Sequence, residues 1–260
     1  MSAGHDHPTA TAYRITAGTG LHKGDRDYQQ DQVGIWAHAS VKHCLLGVVA
    51  DGMGGRSGGR KASDQVLMTA KQLFDRYSPQ IDAPADLLER LAQEAHMVIR
   101  LTAASAEQEP HSTLASFLIT PDAHCHWVHA GDSRIYHFKN QRLVRRTIDH
   151  SYVQGLVDKG VLTEEQAKNH PQSNVLMGCL GTETDPPITS YTTGALEAGD
   201  ILMACSDGVW HYFSDAELGQ VLTQFTAKEA CERLIEIARA RANGYGDNLS
   251  VIVVKFDAPA

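Results

Sequence analysis

Three aspartates lie at the ends of apolar segments, where their carboxylates could bind metal ions. Asp51 ends the most apolar segment of the sequence, Asp207 follows a second apolar run after one intervening residue, and Asp247 comes just before the last predicted strand. Carboxylates gathered at one end of a sheet repel one another unless a cation neutralises them or their pKa values rise. Without His or Cys beside them, they suit Mg²⁺ or Mn²⁺ better than Zn²⁺. An aspartate that caps its own loop is the open alternative at each position.

Several catalytic motifs that are recognisable from sequence alone are absent here. None of the five cysteines is followed six positions later by arginine, which excludes the Cys-x₅-Arg loop of a phosphocysteine enzyme. There is no Gly-Asn-His-Glu element and no Gly-Lys-Ser/Thr loop for nucleotide phosphates. The 14 histidines include no His-Glu-x-x-His pair, and we interpret them, His150 included, as surface or hydrogen-bonded side chains.

Composition and charge limit the partners. Lys and Arg number 23 against 31 Asp and Glu, a net charge of −8 that disfavours binding to nucleic acid. The longest apolar run, Cys44–Ala50, is far shorter than the roughly 20 residues of a membrane helix, so we expect no membrane partner. Five cysteines without a Cys-x-x-Cys pair predict free thiols and a cytoplasmic protein. Residues 1–12 do not resemble a secretory signal and are predicted to be a mobile N-terminus.

No break in composition and no internal repeat divides the chain, which predicts one domain over residues 13–256. A period of two predicts strands at 13–19 and 33–37, and a run that is apolar on both faces predicts a strand at 44–50. Further strands are predicted at 114–120, 124–129, 134–138, 142–145, 188–193, 200–205 and 249–256, with those between 114 and 145 forming an antiparallel meander. Helical spacing predicts long helices over 60–77 and 87–102, and capping boxes at 163–166, 214–217 and 226–229 each predict a helix start. Strands and helices fall in separate blocks, which indicates an α+β fold.

The aspartates stand in short motifs whose order is specific. These are Arg26–Asp31 (RDYQQD), Ala50–Gly55 (ADGMGG), Gly131–Arg134 (GDSR), Thr147–Ser151 (TIDHS), Cys205–Gly208 (CSDG) and Gly246–Ser250 (GDNLS). In this order and spacing the chain resembles the PP2C-type (PPM family) metal-dependent protein serine/threonine phosphatases of the bacterial subgroup. The resemblance extends from about Tyr13 to Phe256.

The resemblance implies a fold and a metal centre. The fold is a four-layer α-β-β-α sandwich, two antiparallel sheets flanked by helix pairs. Two Mn²⁺ or Mg²⁺ ions are expected, with Asp51 bridging them, the Gly52 carbonyl on one, and Asp207 and Asp247 on the other. Asp132 matches the ligand of a third, weaker ion. The implied reaction is hydrolysis of phosphoserine or phosphothreonine in proteins, by in-line attack of a water that the two ions activate.

Five further positions matter to this expectation. Arg26 is expected to face the metal pair and bind phosphate oxygens, which makes it catalytic together with Asp51 and Asp207. Gln30 replaces a family glutamate that reaches one ion through water, and Asp31 is expected to compensate in part as a ligand. Asn248 is placed with Gln30 just outside the ligand set. Met53 stands where many eukaryotic relatives have histidine, which leaves the general acid unidentified.

Residues 152–174 correspond to the flap that covers one side of the active site in bacterial relatives, and substrate selection is expected there. The implied partners are phosphoserine and phosphothreonine proteins and a cognate Ser/Thr kinase, and the chain is expected to act as a monomer. Two alternatives stay open: a catalytically weak domain that binds phosphoprotein as a sensor, and a small-molecule phosphatase on the same scaffold.

Overall fold

The computed structural model describes residues 13–103 and 109–259; the predicted mobile N-terminus, 1–12, lies outside the described residues. The strands are β1 (Arg14–His22), β2 (Gln32–Ala37), β3 (Leu45–Ala50), β4 (Gly52–Met53), β5 (His111–Ser112), β6 (Leu114–Ile119), β7 (Cys125–Ala130), β8 (Arg134–Lys139), β9 (Arg142–Arg146), β10 (Thr189–Thr192), β11 (Asp200–Cys205) and β12 (Leu249–Asp257). The helices are α1 (Gly55–Arg76), α2 (Pro84–Ala103), α3 (Tyr152–Asp158), α4 (Glu164–Lys168), α5 (Asp207–Trp210), α6 (Asp215–Gln224) and α7 (Ala227–Ala242).

Two five-stranded antiparallel sheets form the centre of the molecule. The first has the order β1-β12-β11-β8-β9, and the second has the order β10-β7-β6-β3-β2. Strands β4 and β5 make a separate two-stranded sheet. None of the helices in the described residues is both long and apolar enough to cross a membrane.

The alternation of side chains along the central strands explains why four layers form. On β3, Val48 packs against α1 and α2, whereas the next residue, Val49, points between the two sheets. On β12, Val253 packs under α6 and α7, whereas Val254 points between the sheets. Strands that bury both faces in this way need apolar residues at every position. The predicted α-β-β-α sandwich, with helix pairs on its outer faces, is confirmed.

The predicted meander over 114–145 is wrong as a single sheet. Strands β6 and β7 pair in the second sheet, whereas β8 and β9 pair in the first, and the chain crosses between the sheets at Gly131–Ser133. Gly131 permits the crossing because its φ is +99° and a Cβ there would lie 2.8 Å from the Thr113 side chain. The crossing places Asp132 between the sheets' ends.

The starts of three helices were predicted correctly from their capping boxes. The capping boxes of α4, α6 and α7 are present with both hydrogen bonds, as predicted from Thr163, Ser214 and Thr226. Helix α1 instead begins at Gly55, five residues before the predicted start. Its N-cap is Gly54, which has no side chain that could cap the helix. Its first turn carries no apolar stripe, so periodicity could not reveal it.

Candidate metal centre and active site

Strand register brings the predicted acidic residues to one end of both sheets. In the second sheet, the end of β3 pairs with the start of β2, so Asp51 and Asp31 are neighbours at that edge. In the first sheet, the end of β11 pairs with the starts of β12 and β8, next to Asp207, Asp247 and Asp132. We refer to these five residues as the carboxylate cluster.

Asp31 connects the two sheets. It is fully buried, and its Oδ2 accepts hydrogen bonds from the Ser206 hydroxyl at 2.6 Å and the Ser250 hydroxyl at 2.8 Å. Its Oδ1 is buried without a hydrogen-bond partner. Removal from water raises the pKa of Asp31 to about 6, against the opposing effect of the two hydroxyls.

The pKa values of Asp51 and Asp207 are strongly affected by their place in the cluster. Burial raises both pKa values well above the ordinary range, and the charges of the other cluster aspartates raise them further. Oδ1 of Asp207 is buried and accepts no hydrogen bond. Oxygen atoms that repel each other and have free lone pairs suit a hard divalent cation. The donor set therefore fits Mg²⁺ or Mn²⁺.

The side chains of the cluster do not form a closed ligand set. Within residues 13–103 and 109–259, no group of three His, Cys, Asp or Glu side chains is arranged so that it could hold a metal ion. Asp247 makes contacts outside the cluster, because its Oδ2 is 2.6 Å from the Arg26 guanidinium and its Oδ1 accepts from the Asn248 backbone N–H at 2.8 Å. Charge repulsion acts over longer distances than coordination, so the shifted pKa values and the open geometry are compatible.

The side chain of Arg26 lies at the mouth of the cluster. It is 62% exposed and paired with an Asp247 side chain that is 40% exposed. An ion pair as exposed as this one stabilises a fold by about 1 kcal/mol or less. Arg26 can therefore leave Asp247 at little cost.

Asp132 is held by a neighbouring aromatic and ionic network. Its backbone carbonyl accepts a hydrogen bond from the Trp210 indole at 2.9 Å, and burial followed by the charge of Asp149 raises its pKa to about 7. Arg134 makes a two-point ion pair with Asp149 at 2.7 Å and stacks on Trp210 with its guanidinium carbon 3.4 Å from the ring centroid. Sequence reasoning missed Trp210 and Arg134 in this role, and only the motifs that contain Arg134 and Asp149 hinted at it.

The glycines after Asp51 permit a close approach of two backbone segments. A Cβ on Gly52 would lie 2.0 Å from the Gly59 carbonyl oxygen, and a Cβ on Gly59 would lie 2.6 Å from the Gly52 carbonyl oxygen. Side chains at either position would push α1 away from the cluster. The predicted role of the Gly52 carbonyl as a ligand thus depends on small residues on both segments.

Gln30 and Asn248 brace the loops around the cluster. The Gln30 side chain donates to the Gly55 carbonyl at 2.6 Å, which ties its loop to the first turn of α1. Asn248 is buried. Its side-chain oxygen accepts a hydrogen bond from the backbone N–H of Gln30 at 2.7 Å, and its side-chain nitrogen donates to the backbone carbonyls of Lys23 and Tyr28 at 2.8 and 2.9 Å. These contacts position the loop that carries Arg26 and Asp31.

His150 anchors the other side of the crossing loop. Its Nδ1 accepts from the Gly131 amide at 3.2 Å, its Nε2 lies 2.9 Å from the Thr189 hydroxyl, and its ring stacks on His129 at a centroid distance of 4.5 Å. The predicted hydrogen-bonded role fits these contacts.

One cavity of about 210 Å³ joins the cluster to the flap. Asp132, Asp207, Asp247 and Arg26 line one part of it, and residues of α3, α4 and the following loop line another. The predicted flap, 152–174, contains α3 and α4. A ligand large enough to fill this cavity would contact both the carboxylates and the flap.

Comparison with known proteins identifies the family. The family model described as "Protein phosphatase 2C" matches residues 20–240. The chain is 35% identical over 212 residues to serine/threonine protein phosphatase PstP of Mycobacterium tuberculosis, a match that covers 79% of this chain and only 39% of that relative. It is 27% identical over 235 residues to serine/threonine phosphatase stp of Listeria innocua, covering 88% of this chain and 91% of the relative.

A solved structure extends the likeness to the fold. The catalytic domain of a serine/threonine protein phosphatase PstP, in complex with two manganese ions, superposes with a TM-score of 0.78 at 29% identity, covering 95% of this chain and 100% of that one. Because the family match spans most of the chain and the sheet order, crossing loop and carboxylate cluster are in place, the chain belongs to the protein phosphatase 2C family.

Proposed function

We propose that this chain hydrolyses phosphoserine and phosphothreonine in proteins with the aid of two Mn²⁺ or Mg²⁺ ions. The observation that supports it most directly is the carboxylate cluster, in which Asp31 Oδ1 and Asp207 Oδ1 are buried without partners, and in which burial and then carboxylate repulsion raise the pKa values of Asp51 and Asp207. The relatives' names and the manganese bound to the PstP domain agree with it.

In this proposal Asp51, the Gly52 carbonyl, Asp207 and Asp247 hold the two ions. Asp132 binds a third, weaker ion, and Asp31 contributes charge from beneath. The ions supply the positive charge that activates a water molecule and stabilises the charge that develops on the phosphoryl group. The protein's own contribution is a set of neighbouring carboxylates, of which Asp31 is fully buried, with Arg26 at its mouth.

Arg26 binds the phosphate. Its planar guanidinium offers parallel donors to two phosphate oxygens, which the ammonium of a lysine cannot match. Asp247, which would hold an ion, is paired with Arg26 at the surface of the protein. An Asp247 that bound an ion would leave the Arg26 guanidinium free for phosphate, so metal binding and phosphate binding would be linked through one side chain.

The substrates in this proposal are proteins phosphorylated by a cognate Ser/Thr kinase, and the chain acts as a monomer in the cytoplasm. The five cysteines are free and buried, which agrees with a reducing compartment.

A substrate panel tests the proposal. Rates of phosphate release from phosphothreonine and phosphoserine peptides and from glucose 6-phosphate should be compared at saturating Mn²⁺. We expect kcat/KM for the peptides to exceed that for the sugar phosphate by at least about 100-fold, because the flap and cavity contact residues around the phosphate. Preference for the sugar phosphate would favour the small-molecule alternative, and peptide binding without turnover would favour the sensor alternative.

A further inference from the structure

The flap end of the cavity carries both basic and acidic side chains, unlike the carboxylate cluster. Most of its ionic side chains are already paired. Arg134 is bound to Asp149 through two contacts of 2.7 Å. Arg146 is 2.7 Å from Glu164 and 3.8 Å from Asp215. Within each pair the opposite charges neutralise each other, so these side chains offer little net charge to a ligand.

Lys168 is the exception. It lines the cavity from the last turn of α4, is exposed, and makes no ion pair or hydrogen bond to any residue within the described ranges. Glu164 lies four residues earlier on the same helix, but its carboxylate is bound to Arg146. The ammonium of Lys168 is therefore a free positive charge on the rim of a site that belongs to an acidic chain.

A second side chain lines the same cavity as Lys168. This is His211, next to α5. An anionic side chain that entered this part of the cavity would meet the Lys168 ammonium and the His211 ring.

We infer that Lys168 recognises an acidic residue of the substrate, so that the enzyme prefers phosphopeptides with Glu or Asp within about three residues of the phosphorylated side chain. This inference rests on the proposed phosphatase function. Asp207 and Lys168 line one cavity, so a peptide whose phosphate binds at the cluster can place a neighbouring side chain beside the lysine. A carboxylate there gains an ion pair in a partly enclosed site, whereas a lysine there is repelled.

A lysine in the last turn of a helix also has a structural explanation, because it complements the helix dipole. The chain offers a matched control. Lys159 is the C-cap of α3 in the same flap, is exposed, and does not line the cavity. Lys159→Glu changes the flap's charge and a helix end just as Lys168→Glu does, but away from the substrate.

The test uses phosphothreonine peptides that differ only in having Glu, Gln or Lys at one of the three positions on either side. With wild-type enzyme and Mn²⁺, kcat/KM should be about two- to fivefold higher for Glu than for Gln at one or more positions, the range of a partly exposed ion pair. The preference should weaken in 0.5 M salt. Lys168→Glu should reverse the order of the Glu and Lys peptides, and Lys159→Glu should keep it.

Peptides that are all hydrolysed at equal rates, or a preference that survives Lys168→Glu, would overturn the inference while leaving the phosphatase function intact. An equal effect of both lysine variants would also overturn it, because it would show a general charge effect of the flap. Absence of hydrolysis of every peptide and of p-nitrophenyl phosphate by wild-type enzyme would instead refute the proposed function.

Discussion

Protonation of His150 should destabilise the fold in mildly acidic solution. The Gly131 amide donates to Nδ1, so the proton of the neutral ring is on Nε2, which donates to the Thr189 hydroxyl. A second proton on Nδ1 would face the Gly131 N–H and place a charge against the stacked His129 ring. Burial, followed by the charge of His129, lowers the pKa of His150 to about 4, although the charge of Asp149 opposes this.

The sign and size of the effect follow from linkage. A histidine whose folded pKa is lowered contributes stability that is fully present above its unfolded pKa of about 6.5 and is lost as the pH falls toward the folded value. A folded pKa of about 4 corresponds at pH 5 to a loss of roughly 2 kcal/mol. Because the ring is partly exposed, we reduce this expectation to about 1 to 2 kcal/mol.

Urea unfolding of wild type and His150→Gln at pH 8, 7, 6 and 5, in EDTA, measures this effect. The measurement at pH 8 records the packing and hydrogen bonds lost in the variant, since the ring is neutral there. Between pH 7 and 5, the unfolding free energy of wild type should fall by about 1 to 2 kcal/mol more than that of the variant. Parallel pH dependences for the two proteins would refute the argument.

Three other expectations follow from the site. Millimolar Mn²⁺ should raise the melting temperature, because a ligand of the folded state adds about 2.7 kcal/mol at a hundredfold excess over Kd; an unchanged melting curve would contradict a metal site. Arg26→Ala should raise KM for a phosphothreonine peptide more than it lowers kcat, and Arg26→Lys should bring KM only part of the way back to the wild-type value. An unchanged KM in Arg26→Ala would show that Arg26 does not bind the phosphate. Gly59→Ala should lower activity and Mn²⁺ affinity, because its Cβ would lie 2.5 Å from the Gln30 amide nitrogen and 2.6 Å from the Gly52 carbonyl; calorimetry showing wild-type affinity would contradict this.

The parts of the fold that local signals specify were predictable. A Ser or Thr with Glu or Gln three residues later fixed the starts of α4, α6 and α7. Apolar runs identified β3 and β12 as strands, but such a run looks the same in either sheet, and apolar patterning could not show that β8 leaves the sheet that contains β7. The two-residue strands β4 and β5 are too short to produce any period.

In the candidate site too, some residues were predictable from the sequence and some contacts were not. Asp51, Asp207 and Asp247 were visible because each adjoins an apolar strand, and strand register brings such ends together. The stacking of Arg134 on Trp210 joins residues 76 positions apart with no shared pattern, and only the folded chain reveals it. The pairing of Arg26 with Asp247 likewise depends on the loop that Asn248 holds.

The most direct test of the account is phosphate release from a phosphothreonine peptide by EDTA-treated protein, before and after addition of Mn²⁺, for wild type and Asp207→Asn. Replacing Asp207 removes a charge that its neighbours repel, so the metal-free variant should fold at least as well as wild type, which a melting curve checks. We predict no turnover in EDTA, full turnover with Mn²⁺, and a kcat at least about 10³ lower in the variant. Full turnover in excess EDTA, or a tenth of normal activity in Asp207→Asn, would contradict the assignment of the carboxylate cluster as the catalytic metal centre.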